Sequence, residues 1–204
     1  MKKIPTLFHR EFVNHTIKSI TPEVDPSLEW VLKGEGVATE KVDGACCAII
    51  DGIFYKRYDA KVNKKTGEFK NPPDGAIPCC DPDPVTGHWP HWVRIQGGNP
   101  DDHWFIEALE YTRDAYDFRD KDLEDGTYEA IGPHFNANPH KLSQDILMRH
   151  GTRILNDLTD RSFEGIKEYL STHMIEGIVF WKDGEPQCKI KRSDFGFKWP
   201  GDDI

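Results

Sequence analysis

A chain of 204 residues, 37% of them hydrophobic, is long enough for one domain, or for one domain that carries an insertion. Its formal net charge of −9 argues against a protein that coats nucleic acid non-specifically. No apolar run is long enough for a signal peptide or a membrane span, and the cysteine pairs Cys46-Cys47 and Cys79-Cys80 suit neither a disulfide framework nor a zinc clip. We therefore predict an intracellular, cytoplasmic protein that does not enter membranes.

Positive charge is concentrated at two places in this acidic chain. One lies within residues 56–70 and the other within residues 189–198, whereas acidic residues are dense between residues 101 and 125. A local basic track on an acidic body indicates a protein that binds phosphate at one site. Arg10 and Lys33 could also reach a phosphate, although a solvated surface charge is the commoner role for such residues.

The first strong motif is Thr39-Glu40-Lys41-Val42-Asp43-Gly44. A small apolar run follows it at residues 45–50, then Asp51-Gly52, then a β-prone run at residues 53–57. Two β-prone runs around Asp-Gly predict a hairpin with a tight turn. We expect Lys41 to lie at the mouth of a strand and to be held by this hairpin, because a rigid mount suits a nucleophile.

A lysine in this motif has two interpretations. Its amine becomes a nucleophile when burial or a nearby cation lowers its pKa, and Gly44 would let the backbone approach a bulky ligand. The alternative is a solvated lysine in a surface turn, because a lone Lys-x-Asp-Gly also arises by chance. The residues downstream must decide between the two.

Residues 61–104 are rich in Pro, Gly, Asp, His and Trp, and their hydrophobic periodicity is weak. We predict an ordered insertion beside the site, since a structureless loop of this length is unusual in a compact domain. Its aromatic residues would pack the insertion or stack on an RNA base or ribose. A zinc cluster is the alternative, disfavoured because no pair of its candidate ligands has a standard spacing: Cys79, Cys80, His88, His91 and His103.

The middle of the chain contains predicted helices and one strand. Apolar spacing predicts a helix over residues 105–118 and a short helix over residues 142–148. Residues 127–132 are predicted as a strand that is closed by Gly132-Pro133. Asp160 or Ser162 is expected to cap a further helix.

The last elements form a second predicted hairpin. Residues 176–181 form one strand, residues 182–185 the turn, and residues 187–192 the other strand. The period of two places Lys189 and Lys191 on one face of that strand.

These acidic and basic residues have complementary chemistry. Glu176 supplies the oxygen ligand that Mg²⁺ prefers, and Glu129 could hydrogen-bond a ribose hydroxyl. Lys189 and Lys191 can neutralise phosphate oxygens. With a nucleophilic Lys41, they suit phosphoryl transfer to lysine, in which positioning and charge neutralisation carry most of the catalysis.

The motifs, in this order, resemble those of the covalent nucleotidyltransferases, which include ligases and capping enzymes. Lys41-Val42-Asp43-Gly44 is similar to their motif I, and Arg57 lies where their next basic motif is expected. Tyr128-Glu129-Ala130 resembles motif III, Glu176-Gly177-Ile178-Val179-Phe180 motif IV, and Lys189-Ile190-Lys191 motif V. One match alone is weak, but the ordered set is specific and runs from residue 41 almost to the end.

A more specific resemblance is to the small ATP-dependent 5′–3′ RNA ligases that include vertebrate RNA ligase 1. Few residues follow Arg192, so we expect no OB domain, which disfavours DNA ligases and capping enzymes. A P-loop of the kind found in end-healing kinases is also missing. The similarity covers most of the chain and rests on Cys46-Cys47, Gly87-His88-Trp89-Pro90-His91-Trp92-Val93, Ile131-Gly132, Asn138-Pro139 and Trp199-Pro200.

The resemblance implies an α+β fold of the nucleotidyltransferase (adenylation) type, with antiparallel sheets flanking an ATP cleft in a single domain over residues 1–204. It implies that Lys41 attacks the α-phosphate of ATP, that AMP then passes to the 5′-phosphate of an RNA, and that a 3′-hydroxyl joins the strand and frees AMP. The implied metal, at Glu176, is Mg²⁺ with Mn²⁺ as an alternative, and the protein would be a monomer. The implied nucleotide contacts are Glu40 and Val42 beside the adenine, Val179 as an apolar wall, Glu129 at the ribose, Arg57 at a phosphate or the RNA end, and Lys189 and Lys191 at the triphosphate.

Two alternatives remain open at this point. One is another nucleotidyl transfer, such as guanylylation of an RNA end, which the expected absence of an OB domain disfavours. The other is a non-catalytic module that binds RNA ends, which is disfavoured because every expected catalytic residue type is present.

Overall fold

The structure is a computed structural model of the chain, and its described residues form two compact units. The terminal unit comprises Lys3–Asp43 with Gly151–Ile204, and the central unit comprises Gly44–His150. The prediction of one adenylyltransferase domain with an insertion stays a prediction. The described residues are 3–13, 16–63, 65–83, 87–115 and 123–200.

Strands outnumber helices in the described chain. Its elements in order are β1 (Phe8–Val13), β2 (Thr16–Val24), β3 (Val37–Lys41), β4 (Ala45–Ile50), β5 (Ile53–Lys61), β6 (Ile77–Pro78), β7 (His88–Arg94), α1 (His103–Ala115), β8 (Gly126–Ile131), β9 (Ile146–Arg149), α2 (Phe163–Thr172), β10 (Gly177–Lys182) and β11 (Glu185–Lys191).

The terminal unit contains a three-stranded antiparallel sheet in the order β11-β10-β3 and the separate hairpin of β1 and β2. Asp183 and Gly184 join β10 to β11 with φ values of 54° and 79°, the left-handed pair that a two-residue hairpin turn requires. The core side of the sheet carries Ile178 and Phe180, both fully buried. Helix α2 packs into the same cluster and begins at Ser162, whose hydroxyl accepts from the Gly165 amide at 3.1 Å.

The central unit is built on a six-stranded antiparallel sheet in the order β6-β7-β5-β4-β8-β9. The predicted hairpin is confirmed as β4 and β5, and its turn residues Asp51 and Gly52 have φ values of 51° and 70°. One face of the sheet packs with α1, through Cys47 and Tyr128 on the strands and Ala108 on the helix. The opposite face carries a smaller apolar cluster together with polar side chains.

Two of the predicted helices have different outcomes. Residues 105–118 agree with α1, which covers His103–Ala115, while Tyr116 and Phe118 lie outside the described residues. The helix predicted over residues 142–148 is wrong, because this segment ends in strand β9, paired with β8. A short apolar run does not distinguish the two structures, and the open edge of β8 supplies the pairing that makes it a strand.

The Pro-, Gly-, His- and Trp-rich segment contributes to the sheet of the central unit. Strand β7 pairs with β5 along its whole length, from His88 opposite Lys61 to Arg94 opposite Tyr55. Lys64 and residues 84–86 of this segment lie outside the described residues.

The described residues thus confirm an α+β fold with antiparallel sheets. None of the described helices is long and apolar enough to cross a lipid bilayer.

Candidate active site

Lys41 is the last residue of β3, and the pairing of β3 with β10 sets its position. Gly177 lies opposite Lys41 in this ladder. The hairpin of β4 and β5 begins after Lys41 and belongs to the central unit, and the expectation that it holds Lys41 stays a prediction. The partner strand is distant in sequence, and a local hairpin pattern cannot reveal it.

Glu176 is the acid that Lys41 contacts. Its side chain is 2% exposed, and its Oε2 lies 2.5 Å from Lys41 Nζ. Its Oε1 lies 2.5 Å from Lys191 Nζ, so one buried carboxylate holds two ammonium groups. The Arg192 amide donates to the Glu176 carbonyl at 2.8 Å, which fixes the backbone just before β10.

The two lysines and Glu176 meet over a glycine. Gly177 lies between Lys41 on β3 and Lys191 on β11 in the strand register. A Cβ atom at Gly177 would come within 2.2 Å of the Ile190 carbonyl oxygen, which no side chain tolerates. Glycine is therefore required for the strands to approach closely here.

Lys189 and Val179 form the next row on the same face of the sheet. They are register partners, two residues from the Lys191–Gly177 pair, whereas Ile178 and Ile190 point into the core. The prediction that Lys189 and Lys191 share a face is thus confirmed.

Burial lowers the pKa of the Lys189 ammonium to about 8. The positive charges of Lys41, Lys191 and Arg10 add to this shift, in that order, and the charge of Glu176 opposes it. These side chains are therefore close enough to repel one another's protons.

Arg10 differs from the solvated charge that was the commoner expectation. Its Nη2 lies 2.6 Å from Asp194 Oδ1, and its side chain is 23% exposed. The other oxygen of Asp194 accepts from the Lys191 amide at 2.8 Å. Lys33 fits the expectation, because its side chain is 65% exposed and pairs only loosely with Glu29 at 3.8 Å.

A cluster of positive charge is the result. Arg10, Lys41, Lys189 and Lys191 surround two buried carboxylates, so the cations are in excess in a chain whose net charge is −9. Such an excess favours an anion with several charges. We call these four basic residues with Glu176 and Asp194 the lysine cluster.

The remaining motif residues near Lys41 are well anchored. The Glu40 amide donates to the Arg153 carbonyl at 2.8 Å, and its carboxylate accepts from Arg153 Nη1 at 3.1 Å. Val42 is buried, and Trp199 Nε1 donates to Asp43 Oδ2 at 2.8 Å. The anchoring fixes the backbone on both sides of Lys41.

Glu129 and Arg57 belong to the central unit. The Glu129 carboxylate lies 2.8 Å from His150 Nε2, and Cys46 stands directly opposite Glu129 on β4. Arg57 donates through Nη2 to Asp59 at 3.2 Å, while its buried Nε has no hydrogen-bond partner among the described residues. A buried donor without a protein partner is available to water, to an ion or to a ligand.

The zinc cluster considered for the 61–104 segment is not formed by the described residues. His91 Nδ1 contacts the Trp89 carbonyl oxygen, and His88 Nδ1 contacts Asp59. The group of potential metal ligands that the described residues do bring together is Cys46, Glu129 and His150. Sequence spacing missed it because its members come from three different strands or their ends.

Sequence reasoning also missed what Arg10 and His150 do. Both follow from long-range pairing: Arg10 of β1 reaches Asp194 across the terminal unit, and His150 follows β9. Neither residue lies in a motif whose spacing could have identified its partner.

No family model matches the chain. Curated relatives do: RNA ligase 1 of Pongo abelii is 24% identical, that of Rattus norvegicus 28% and that of Danio rerio 25%. Each alignment covers 80% of this chain and 68% of the relative. The chain is therefore a distant relative of the RNA ligase 1 proteins, as the ordered motifs around Lys41, Glu129, Glu176 and Lys189 predict.

Proposed function

We propose that the protein is an ATP-dependent RNA ligase that joins 5′-phosphate and 3′-hydroxyl RNA ends. It forms a lysyl-AMP intermediate at Lys41, passes AMP to the RNA 5′-phosphate, and joins the ends as AMP leaves. Its α+β fold is that of the covalent nucleotidyltransferases. Monomeric state and cytoplasmic location stay predictions.

The lysine cluster is the observation that carries this proposal. It combines a lysine held at the end of a strand with an excess of positive charge that suits a triphosphate. An isolated solvated lysine, the alternative interpretation of the Lys-x-Asp-Gly motif, would have no buried acid beside it. The relatives that are named RNA ligases support the choice of RNA as the substrate.

In the first step, Lys41 Nζ forms a bond to the α-phosphorus of ATP as the bond between that phosphorus and the pyrophosphate oxygen breaks. The ammonium must lose a proton before its lone pair can attack. Glu176 Oε2, at 2.5 Å from Nζ, is the acceptor within reach of that proton. Lys189, Lys191 and Arg10 then neutralise the charge of the pyrophosphate that departs.

Glu176 fits a divalent metal by chemistry, because Mg²⁺ and Mn²⁺ prefer oxygen ligands and this carboxylate is the acid at Lys41. Both of its oxygens contact an ammonium, so a metal ion bound there would share an oxygen with Lys41 or Lys191, or displace one of them. When bound, the ion would supply charge neutralisation at the α-phosphate. Metal binding would therefore weaken the ion pair that Glu176 makes with Lys41 or with Lys191.

The nucleoside contacts come from the resemblance and from the surroundings of each residue. Val179 lies on the same sheet face as Lys189 and supplies an apolar surface for the adenine. Its partner on β3 is Thr39, whose neighbour Glu40 offers its backbone to the adenine, and Val42 is a further nucleotide contact. Glu129 contacts the ribose hydroxyls. Arg57 contacts a phosphate or the RNA end, and its unpartnered Nε supports this role.

Incubation with labelled nucleotide tests the proposal. We expect covalent AMP after exposure to ATP and Mg²⁺, seen as one added AMP in the intact mass, and transfer of that AMP to RNA with a 5′-phosphate. Covalent GMP instead would indicate an RNA-end guanylyltransferase. No covalent nucleotide would indicate a non-catalytic RNA-end binding module and would overturn the proposal.

A further inference from the structure

Three side chains of metal-ligand type meet on one face of the central sheet. Cys46 belongs to β4, Glu129 to β8, and His150 follows β9, so they come from three adjacent strands. Their ligating atoms all lie within 4.8 Å of one another. Ligands mounted on paired strands are held more firmly than ligands on loops.

The register of strands β4 and β8 explains why Cys46 and Glu129 lie side by side. Cys46 and Glu129 are direct partners in the β4–β8 ladder, so their side chains stand side by side on the same face. His150 is fixed by its amide, which donates to the Thr127 carbonyl at 3.0 Å. Its Nε2 then lies 2.8 Å from Glu129 Oε2.

The second nitrogen of His150 has a partner of the kind that metal-bound histidines use. Nδ1 lies 2.9 Å from the Thr127 hydroxyl oxygen. With the ring proton on Nδ1, this contact becomes a donated hydrogen bond that fixes the ring orientation and leaves Nε2 free to ligate. An ion pair between His150 and Glu129 alone would not require the contact of Nδ1 with the Thr127 hydroxyl.

Cys46, Glu129 and His150 are only slightly accessible to solvent. The side chain of Glu129 is 12% exposed and that of His150 is 15% exposed. A cation can therefore enter while most of its surroundings stay dry. The Arg57 guanidinium is a positive charge that acts on Cys46, and it is itself paired with Asp59.

We propose that Cys46 Sγ, the Glu129 carboxylate and His150 Nε2 bind a divalent cation of the zinc type, with one coordination position left open. Sulfur, imidazole and carboxylate together are the ligands of Zn²⁺ and not of Mg²⁺ or Ca²⁺. Coordination displaces the thiol proton to solvent and requires the neutral imidazole to carry its proton on Nδ1 in place of Nε2, which now faces Glu129. The thiolate and carboxylate charges balance the ion.

The site has a consequence that rests on the proposed function. Glu129 cannot hold the ion and contact the ribose with the same oxygens. Zinc-type cations then compete with ATP, while Mg²⁺, which avoids thiolate, does not occupy the site.

Metal titration of the full chain without a histidine tag tests the site itself. We expect one Zn²⁺ per chain in competition with a chromogenic chelator, and a thiolate-to-metal charge-transfer band with Co²⁺. Cys46→Ser should abolish the band. Cys46→Ser and His150→Gln should each weaken Zn²⁺ affinity by more than about tenfold, since losing even an outer partner of a ligand costs 10- to 100-fold. Cys80→Ser, which removes a partly buried thiol outside the group, should bind like the wild type.

The fold of each variant is checked by its thermal midpoint without metal. A ligand that binds only the native state raises this midpoint, so Zn²⁺ should stabilise the wild type and Cys80→Ser but neither Cys46→Ser nor His150→Gln. Wild type that binds no Zn²⁺, or variants that bind it as the wild type does, would overturn the proposed site.

Competition between Zn²⁺ and ATP separates the proposed zinc site from the proposed ligase function. Zn²⁺ added at saturating Mg²⁺ should raise the KM for ATP in self-adenylylation of the wild type, and have little effect on Cys46→Ser. Zinc binding by these residues in a protein that never labels with ATP would remove the ligase proposal and leave the site. Normal labelling without zinc binding would remove the site and leave the ligase proposal.

Discussion

The two sheets use their functional glutamates in opposite ways. Glu176, in the terminal unit, is buried between Lys41 and Lys191 with one oxygen on each. Glu129, in the central unit, stands beside a thiol and against His150. One acid is surrounded by cations and the other by neutral or soft metal ligands.

The difference shows that the charges and donor atoms around a carboxylate determine which ligand it can help to bind. In the lysine cluster, cations exceed acids, so the ligand that we propose for it is an anion such as a triphosphate. In the central group, the donors are a thiol, an imidazole and a carboxylate, so the ligand that we propose for it is a borderline cation. Glu176 directly precedes an antiparallel strand and Glu129 lies within one, so a sequence motif alone does not separate them.

The largest effect is expected from removing the nucleophile. Lys41→Ala should abolish covalent AMP, and so should Lys41→Arg, because a guanidinium keeps its proton. Intact-mass spectrometry after incubation with ATP measures this. Lys33→Ala is the matched control, since that side chain is 65% exposed, and should label fully. Full labelling of either Lys41 variant would show that Lys41 is not the nucleophile.

The next effect concerns the acid that holds two lysines. Glu176→Gln should lower the rate of self-adenylylation on the order of 10²-fold, because Lys41 loses the group that positions it. The thermal midpoint should also fall, since two cations lose their buried partner. Glu164→Gln, at a side chain 78% exposed, is the control. Normal labelling of a folded Glu176→Gln across a magnesium titration would place the metal elsewhere.

A smaller effect is expected where the RNA strand is held. Lys61 and Lys65 are exposed, and Lys64, between them, lies outside the described residues. Reversing all three to Glu should spare self-adenylylation and slow AMP transfer to RNA by about tenfold at low salt, with a weaker salt dependence. Reversing Lys33, Lys167 and Lys182 in the terminal unit makes the same charge change as a control. Equal transfer by both triple variants would mean that residues 61–65 are merely solvated.

The smallest effect is a pH dependence of stability. The pKa of Lys189 is lowered to about 8 in the folded protein and is about 10.5 in an unfolded chain. Between these values the unfolded chain binds more protons, so this group makes the free energy of unfolding rise with pH. We expect that rise to be roughly 1 kcal/mol after solvent screening, and to be missing in Lys189→Met. Denaturant unfolding without nucleotide at pH 8 and at pH 10 measures this rise. An equal change in the free energy of unfolding for the wild type and Lys189→Met would contradict a lowered pKa at Lys189.

Some features were predictable because they depend on near neighbours in sequence. Asp51-Gly52 and Asp183-Gly184 set their turns through left-handed backbone geometry, and both hairpins form as predicted. The period of two correctly placed Lys189 and Lys191 on one face. Ser162 caps α2 as its position before an apolar face suggests.

Other features depend on pairing that local patterns do not contain. Lys41 is positioned by its pairing with β10, a strand distant in sequence, and residues 142–148 end in a strand because β8 offers an edge. Arg10 and His150 acquire their partners only through the folded chain. The same holds for Cys46, whose neighbour Glu129 is its register partner on another strand.

The most direct test of the account is the position of the covalent nucleotide. After incubation with ATP and Mg²⁺, the protein is digested with trypsin at alkaline pH, which preserves a phosphoramidate. Modified Lys41 resists cleavage, so AMP should appear on a peptide that runs from residue 34 to residue 56. AMP on a peptide that contains Lys189 or Lys191 instead, or the absence of any AMP-bearing peptide, would contradict the assignment of Lys41 as the nucleophile.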